Sequence, residues 1–184
     1  MANFCPECGE ATIKMVIAGR ERDACPDGHF VQYARTKIGV GALVFRGESV
    51  LLVQRNSEPH GIWTLPGGYQ EEDETLEMAV VREVWEETAM TVYPRGIVFH
   101  RNMLEHGIID SYSVFLCDVE GKDEPVVNDN ESLDSFFAPV DRFDELNIEP
   151  DSRWLVETYL ELQPEPMMAI ANPFTHPNLQ IFTA

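Results

Sequence analysis

What most constrains this chain is the segment from Gly67 to Met90, an acidic run with helical spacing entered through a Gly pair behind Pro66. On a helix Glu83 and Glu87 stand four residues apart and Glu83 and Glu86 three, so three carboxylates crowd one face. Like charges so placed repel, by roughly 0.2–0.5 kcal/mol per pair in an isolated helix. The pattern is easier to explain if a cation sits among them. Carboxylate oxygens with no soft ligand nearby suit a hard divalent ion, Mg²⁺ or Mn²⁺, and Mg²⁺ held this way usually works on phosphates. Leu76, Ala79, Val80, Val84 and Trp85 supply an apolar stripe expected on the opposite face, docking the helix on a core. Gly67 and Gly68 permit a tight turn whose backbone can approach metal or phosphate closely.

Gly68, five residues, Glu74, seven residues, then Arg82-Glu83-Val84-Trp85-Glu86-Glu87-Thr88-Ala89-Met90 resemble the Nudix box. Six of its seven strictly specified positions match, and its two aliphatic positions hold Val84 and Met90. The departure is Ala89, where the family has Gly. That Gly ends the helix where a positive φ suits it, so Ala costs on the order of 1 kcal/mol or shifts the cap, and no chemistry is lost. The resemblance implies a Nudix fold, a mixed β-sheet sandwiched between helices, over residues 37–163. Strand and helix periodicity alone give only an α/β or α+β class.

It further implies a hydrolase that opens a diphosphate linked to another moiety by attack of a metal-activated water. Carried over by position, Glu83, Glu86 and Glu87 are the expected Mg²⁺ or Mn²⁺ ligands, with the carbonyl of Gly67 as a further one. Arg82 braces the glutamates, Glu74 links loop to helix, and Gly68 shapes the turn; a surface ion pair is the competing reading of Arg82 and Glu74. Relatives place the general base on the helix or on a later loop. Glu131 is the loop candidate, against the reading of one more solvated acid in Asn128-Asp129-Asn130-Glu131. Arg55, ending a strand near the active loop, is either a phosphate contact or an exposed charge.

A second metal pattern opens the chain. Cys5, Cys8, Cys25 and His29 follow the spacing C-x2-C-x16-C-x3-H, which offers three thiolates and an imidazole for a closed tetrahedral Zn²⁺ site. The segment resembles the zinc ribbon found before the catalytic domain in some Nudix hydrolases. There a second C-x2-C is usual, whereas here Gly28 stands at the fourth Cys position and His29 follows, so the fourth ligand is either His29 or another group. The expected role is structural, because about thirty residues bury little apolar surface. Cys117 lies far away in an apolar strand pattern and reads as a core residue.

These readings divide the chain into a zinc-ribbon-like module at 1–36, a Nudix domain at 37–163 and a tail at 164–184. Strands are expected at 38–45 and 50–54 around a hairpin turn, at 63–65, 91–100, 108–119 and 135–140. Helices are expected from about Thr75 to Ala89 and from Ser152 to Leu162, the second with Trp154, Leu155, Tyr159 and Leu162 on its apolar face. The tail's apolar residues, Met167, Met168, Ile170, Phe174, Ile181 and Phe182, either pack on the body or a second subunit or belong to a disordered end.

At 184 residues and 44% hydrophobic content, the chain can hold one full domain plus a small module. It lacks an apolar run long enough to span a membrane and the layout of a signal peptide, so a cytoplasmic enzyme is expected. With 13 Lys and Arg against 32 Asp and Glu, a net charge of −19 disfavours nucleic acid and anionic lipid as partners and leaves a small nucleotide substrate, reached through bound cations. Homodimerisation, common among related ADP-sugar hydrolases, is compatible with the sequence but not indicated by it.

The ribbon plus box looks similar in layout to ADP-ribose and FAD pyrophosphatases, which makes an ADP-linked diphosphate the first expectation. NADH pyrophosphatases carry an S-Q-P-W-P-F-P run shortly after the box; residues 94–103 lack it, so NADH is not favoured. The alternatives are a nucleoside triphosphate sanitising pyrophosphatase, an NADH pyrophosphatase and a non-catalytic Nudix-like ligand sensor. Retention of all three box carboxylates speaks for catalysis.

Overall fold

The computed structural model describes residues 4–121, 123–170 and 181–183. Two compact units emerge, one formed by Met1–Lys37 with Met103–Ile109, the other by Ile38–Asn102 with Asp110–Ala184. In the first, β1 (Ile13–Ile17) and β2 (Arg20–Ala24) form an antiparallel hairpin around Ala18 and Gly19. Both turn residues have positive φ, 50° and 75°, the twist that a two-residue hairpin loop requires. Among its described residues only Cys5, Ala24 and Cys25 are buried hydrophobics, too few to hold a fold by apolar burial.

The second unit is built on a split sheet. β3 (Thr36–Arg46) turns through Gly47 into β4 (Ser49–Arg55), pairing Phe45 with Val50 and Arg46 with Ser49. Beyond that turn the two strands part. The early half of β3 pairs instead with β6 (Gly67–Tyr69), and β4 takes β5 (Trp63–Thr64) on one edge and β9 (Ser132–Pro139) on the other. The long hairpin of β7 (Val92–Glu105) and β8 (Ile108–Val119) completes the order β5-β4-β3-β8-β7.

Alternation along β3 sends Val40, Ala42 and Val44 into one apolar cluster and Leu43 and Phe45 into another. The first cluster contains Ala79, Val80 and Val84 of helix α1 (Leu76–Thr88). The second contains Val156 of helix α2 (Pro150–Leu162) and Phe143 of the 3₁₀ turn Val140–Glu145. The expected mixed sheet between helices is therefore present. No helix among the described residues is long and apolar enough to cross a membrane.

Several sequence expectations need correction. Trp85 is 52% exposed, and Thr88 is buried in its place. Nine residues separate Trp85 from Leu76, which at 3.6 residues per turn is about half a turn round the helix. In α2, Trp154 and Leu162 are 58% and 65% exposed, and the buried positions are Ser152 and Val156. Leu155 and Tyr159 do pack on the core, and Tyr159 stacks on Phe45 at 5.4 Å. β7 runs five residues past the expected end at His100, and β9 begins three residues before the expected Ser135, where a bulge at Gln54 and Arg55 lets Ser132 pair with Arg55.

The tail contains β10 (Met168–Ile170) and β11 (Ile181–Thr183), an antiparallel pair. Met167 exchanges backbone hydrogen bonds of 3.0 and 2.9 Å with Ile97, and Phe182 lies edge-on to Phe115 at 6.1 Å. These contacts favour the packed reading of the tail over a disordered end; Phe174 lies outside the described residues.

Helix α1 is capped at both ends. The Thr75 hydroxyl accepts from the Met78 amide at 3.3 Å, and Ala89 closes the helix in the left-handed region, φ 54° and ψ 17°, donating to the Trp85 carbonyl at 2.8 Å. The non-glycine residue keeps the glycine conformation rather than shifting the cap. Ala89→Gly should therefore stabilise the protein by roughly 0.5–1 kcal/mol. In thermal unfolding this is a rise in Tm of about 1–4 °C for a chain of this size; an unchanged or lower Tm would show that the strain is absorbed elsewhere.

Candidate active site and metal centres

The site begins where β5 hands the chain to β6. The Leu65 amide donates to Ser152 Oγ at 3.3 Å and the Pro66 carbonyl accepts from Ala42 at 2.9 Å, so the turn is fixed from two sides. Gly67, at φ 154°, lies so close to β3 that a Cβ would meet the Val40 carbonyl at 2.2 Å. A Cβ on Gly68 would fall 2.5 Å from the Glu83 carboxylate. The Gly67 amide donates to Glu87 Oε2 at 2.9 Å. Both glycines are thus needed to let the helix carboxylates reach the turn.

Arg82 holds this arrangement, with all five of its guanidinium N–H groups engaged. Nε and Nη2 grip both oxygens of Glu74 at 3.0 and 2.6 Å, Nη1 reaches Glu83 and Glu86 at 2.9 Å each, and Nη2 also donates to the Tyr69 carbonyl at 3.0 Å. Glu74 in turn accepts from the Glu71 amide at 2.8 Å. The Arg82–Glu74 pair is not a fully exposed one, because the Glu74 side chain is 8% exposed and bonds both the Arg82 guanidinium of the helix and the Glu71 amide of the loop.

The electrostatics of the carboxylates differ. Hydrogen bonds from Arg82 hold Glu74 below the usual carboxylate range. Burial raises Glu83 above it, despite Arg82. Glu87 is pushed up to about 8, first by burial and then by the charges of Glu83, Asp129 and Glu131, with only the Gly67 amide opposing. Without a cation Glu87 holds its proton more tightly than an ordinary carboxyl. Glu83 and Glu86 share Arg82 Nη1 while Glu87 takes the Gly67 amide. Oxygen donors with no thiolate or imidazole beside them are of the kind a hard divalent cation takes, although their oxygens do not converge within 4.8 Å of one another as the Cys and His donors of the first unit do.

Glu131 comes to this cluster through its loop. The Val126 amide donates to the Thr88 carbonyl at 2.9 Å and Asn128 Nδ2 to the Trp85 carbonyl at 3.3 Å, tying the loop to the end of α1. Asn56 donates to the Glu131 carbonyl at 2.7 Å from the other side. Asp129 Oδ1 accepts from the amides of Glu131 and Ser132 at 3.1 and 2.9 Å, which shapes the turn that presents Glu131. Glu131 is exposed, and its charge and that of Asp129 both add to the raising of Glu87. Asp129 was not singled out from the sequence, although its place between Asn128 and Asn130 marks a turn former. Arg55 is not drawn into the cluster; its guanidinium donates to Ser57 Oγ at 3.2 Å.

Tyr112 was also missed. Its hydroxyl lies 2.5 and 2.9 Å from where side chains on Gly41 and Gly67 would begin, and its ring crowds Gly39. Burial, with the charges of Glu87 and Glu149, raises its phenol above the ordinary range. Two glycines at period two on one strand were the available signal for a large neighbour across the sheet.

In the first unit Cys5, Cys8, Cys25 and His29 bring one donor atom each within 4.8 Å of all the others. Cys8 and Cys25 sulfurs are 3.7 Å apart, and Cys25 Sγ is 3.8 Å from His29 Nδ1. A tetrahedron with Zn–S bonds of about 2.3 Å has edges of about 3.8 Å, so the four residues fit zinc. Gly28 adopts φ 79° and its amide donates to the Cys25 carbonyl at 3.0 Å, which puts the fourth donor on His29. Cys117 is a buried core residue, its thiol pushed up to about 12 by burial.

The NUDIX domain family model matches residues 35–159. Among solved structures, a Nudix hydrolase from Nitrosomonas europaea superposes with a TM-score of 0.66 at 28% identity, covering 86% of this chain and 90% of that one. An NAD-capped RNA hydrolase, NudC, from Stutzerimonas stutzeri is 32% identical over 91 residues, covering 50% of this chain and 32% of the relative. An ADP-ribose pyrophosphatase from Methanocaldococcus jannaschii is 39% identical over 59 residues, covering 32% of this chain and 35% of the relative. The chain thus spans about a third of the length of these curated relatives.

Gly68→Ala tests the close approach on which the cluster depends. The added methyl must displace the Glu83 carboxylate, so Mn²⁺ affinity measured by calorimetry should fall by about tenfold or more, equivalent to 1.4 kcal/mol. Unaltered affinity would mean that Glu83 does not need its present position to hold a cation.

Proposed function

The chain belongs to the Nudix family, and from that membership we propose that it is a pyrophosphohydrolase that cleaves a nucleoside diphosphate linked to another moiety, of the ADP-ribose or FAD type. The observation that carries the reading is the intact carboxylate cluster, Glu83, Glu86 and Glu87, drawn against Gly67 and Gly68 and braced by Arg82. A ligand sensor without turnover has no use for carboxylates buried at this electrostatic cost.

On this reading Glu83, Glu86, Glu87 and the Gly67 carbonyl hold Mg²⁺ or Mn²⁺. Such an ion, when bound, neutralises phosphate charge and makes a coordinated water more acidic. Water oxygen bonds to one phosphorus, the bridging P–O bond breaks, and two phosphate monoesters leave. Glu131, presented by the Asp129 turn beside Glu87, accepts the water's proton. Arg82 and Glu74 keep the helix carboxylates in place and touch no substrate. Arg55, whose only side-chain partner among the described residues is Ser57, is available to a substrate phosphate.

Residues 1–36 form a structural module whose Zn²⁺ is held by Cys5, Cys8, Cys25 and His29; four protein ligands leave no position for a reacting water. Residues 37–163 form the hydrolase domain and 164–184 a tail. A second reading comes from the relatives named NAD-capped RNA hydrolases, in which the same kind of diphosphate would be joined to an RNA 5′ end. The net charge of −19 favours the small nucleotide over an RNA, and the reading remains that of a cytoplasmic enzyme.

The test is product release from ADP-ribose, FAD, NADH, nucleoside triphosphates and NAD-capped RNA with Mg²⁺ or Mn²⁺. One ADP-linked small molecule should be preferred. Glu87→Gln and Glu131→Gln should each lower kcat by about 100-fold or more, the first with weakened metal binding and the second without. If Glu87→Gln turns over at the wild-type rate, the metal assignment fails; if no compound is cleaved while one binds tightly, the sensor reading replaces this one. The purified chain should also carry one zinc ion. His29→Ala should lose it and lower Tm; normal zinc content in that variant would remove His29 from the ligand set.

A further inference from the structure

The cations of this chain are unevenly distributed. Residues 1–37 and 103–109 hold five Lys and Arg against six Asp and Glu, leaving eight against 26 for the rest. In the larger unit Arg46, Arg82, Arg95, Arg101, Arg142 and Arg153 each pair with a carboxylate. In the smaller one, among the described residues, Arg20 and Arg35 have no side-chain partner, and Arg22 donates to the Ile17 carbonyl and lies over the Tyr33 ring at 4.8 Å. Unpaired guanidinium groups stand out in a chain that holds 13 Lys and Arg against 32 Asp and Glu.

These groups meet. Lys14, Arg20, Arg22 and Arg35 line one cleft of about 300 Å³, with Gln32 and Tyr33 in its wall. Of the two acids in the lining, Asp23 is engaged by Lys14 at 3.0 Å. Arg20 and Arg22 are two residues apart on β2 and so emerge on one face. The opposite wall is held by backbone bonds, Gln32 to Asp23 at 2.9 Å and Ile109 to Arg35 at 2.8 Å, and Cys25, which carries the zinc-site thiol, pairs with Phe30 at 2.8 Å. The backbone beneath the cleft is thus fixed, and Arg20, Tyr33 and Arg35 extend from it as exposed side chains. Tyr33 is 70% exposed, leaving most of its ring open to a planar group.

We propose that this cleft binds a mononucleotide, its phosphate on Arg20 and Arg35 and its base against Tyr33. Planar guanidinium forks match phosphate oxygens, and a neighbouring aromatic ring selects a phosphate that carries a base over a bare one. The cleft shares no residue with the carboxylate cluster, and its existence does not depend on the hydrolase reading.

The experiment is calorimetric titration of the zinc-loaded full chain with AMP, with inorganic phosphate and with a single-stranded RNA oligonucleotide, at low salt and without Mg²⁺ or Mn²⁺. AMP should bind, and the Arg20→Ala, Arg35→Ala double variant should lose about tenfold or more in affinity, with zinc content, Tm and diphosphate hydrolysis unchanged. Tyr33→Ala should weaken AMP by about threefold or more and leave inorganic phosphate unaffected. No AMP binding, or equal binding by the double variant, overturns the proposal. RNA binding tighter than AMP by an amount that grows with oligonucleotide length overturns the mononucleotide assignment and makes the cleft a nucleic-acid surface.

Discussion

Burying carboxylates beside one another is the constraint on which the rest of the site depends, and Arg82 is what makes it tolerable. Each of its N–H groups is spent on a partner, and those partners belong to the loop after β6 as well as to α1. Removing a guanidinium from such a cluster leaves several acids facing one another in a poorly solvated place, which costs far more than an exposed pair would. Arg82 still leaves Glu87 unanswered. That residue has one backbone donor and three negative neighbours, and it is the acid whose charged form most requires a cation.

The same constraint explains the glycines and the split in the sheet. A carboxylate can lie against the turn only if the turn has no side chains, and the turn can approach β3 only if Gly67 has none. β6 takes the early half of β3, β4 leaves that strand soon after the hairpin and pairs there with β5, and its other edge carries seven pairs with β9. β9 follows directly on the loop that presents Glu131. The loop acid is therefore positioned from β4, the strand that also carries β5 into the glycine turn.

The box was legible because its residues sit at fixed intervals along one turn and one helix, so spacing alone nearly determines their geometry. Helix α1 and the left-handed position at its C-terminal end could be read for the same local reason. What could not be read is what depends on distant chain. Trp85 looks like core by composition, yet the apolar surface available to α1 is already covered by Ala79, Val80 and Val84. β6 has no strand signature, because two of its three residues are glycines recruited by β3. Tyr112 and Asp129 act through neighbours some 40 or more residues away in sequence, at Gly67 and Glu87.

Two departures from the family pattern obey one backbone rule in opposite directions. At Ala89 the helix end demands a left-handed residue, and the chain keeps that conformation without glycine because the amide still finds the Trp85 carbonyl and the loop side chain of Asn128 adds a second donor to the same oxygen. At Gly28 the knuckle demands the same region, and here glycine is retained at the cost of the residue that would have carried a thiol. The donor that joins the three cysteines then comes from the next residue, His29, whose Nδ1 lies 3.8 Å from the sulfur of Cys25. Where the strained position has only a conformational duty, it tolerates a side chain; where a donor must also be delivered, the strain and the donor are assigned to adjacent residues.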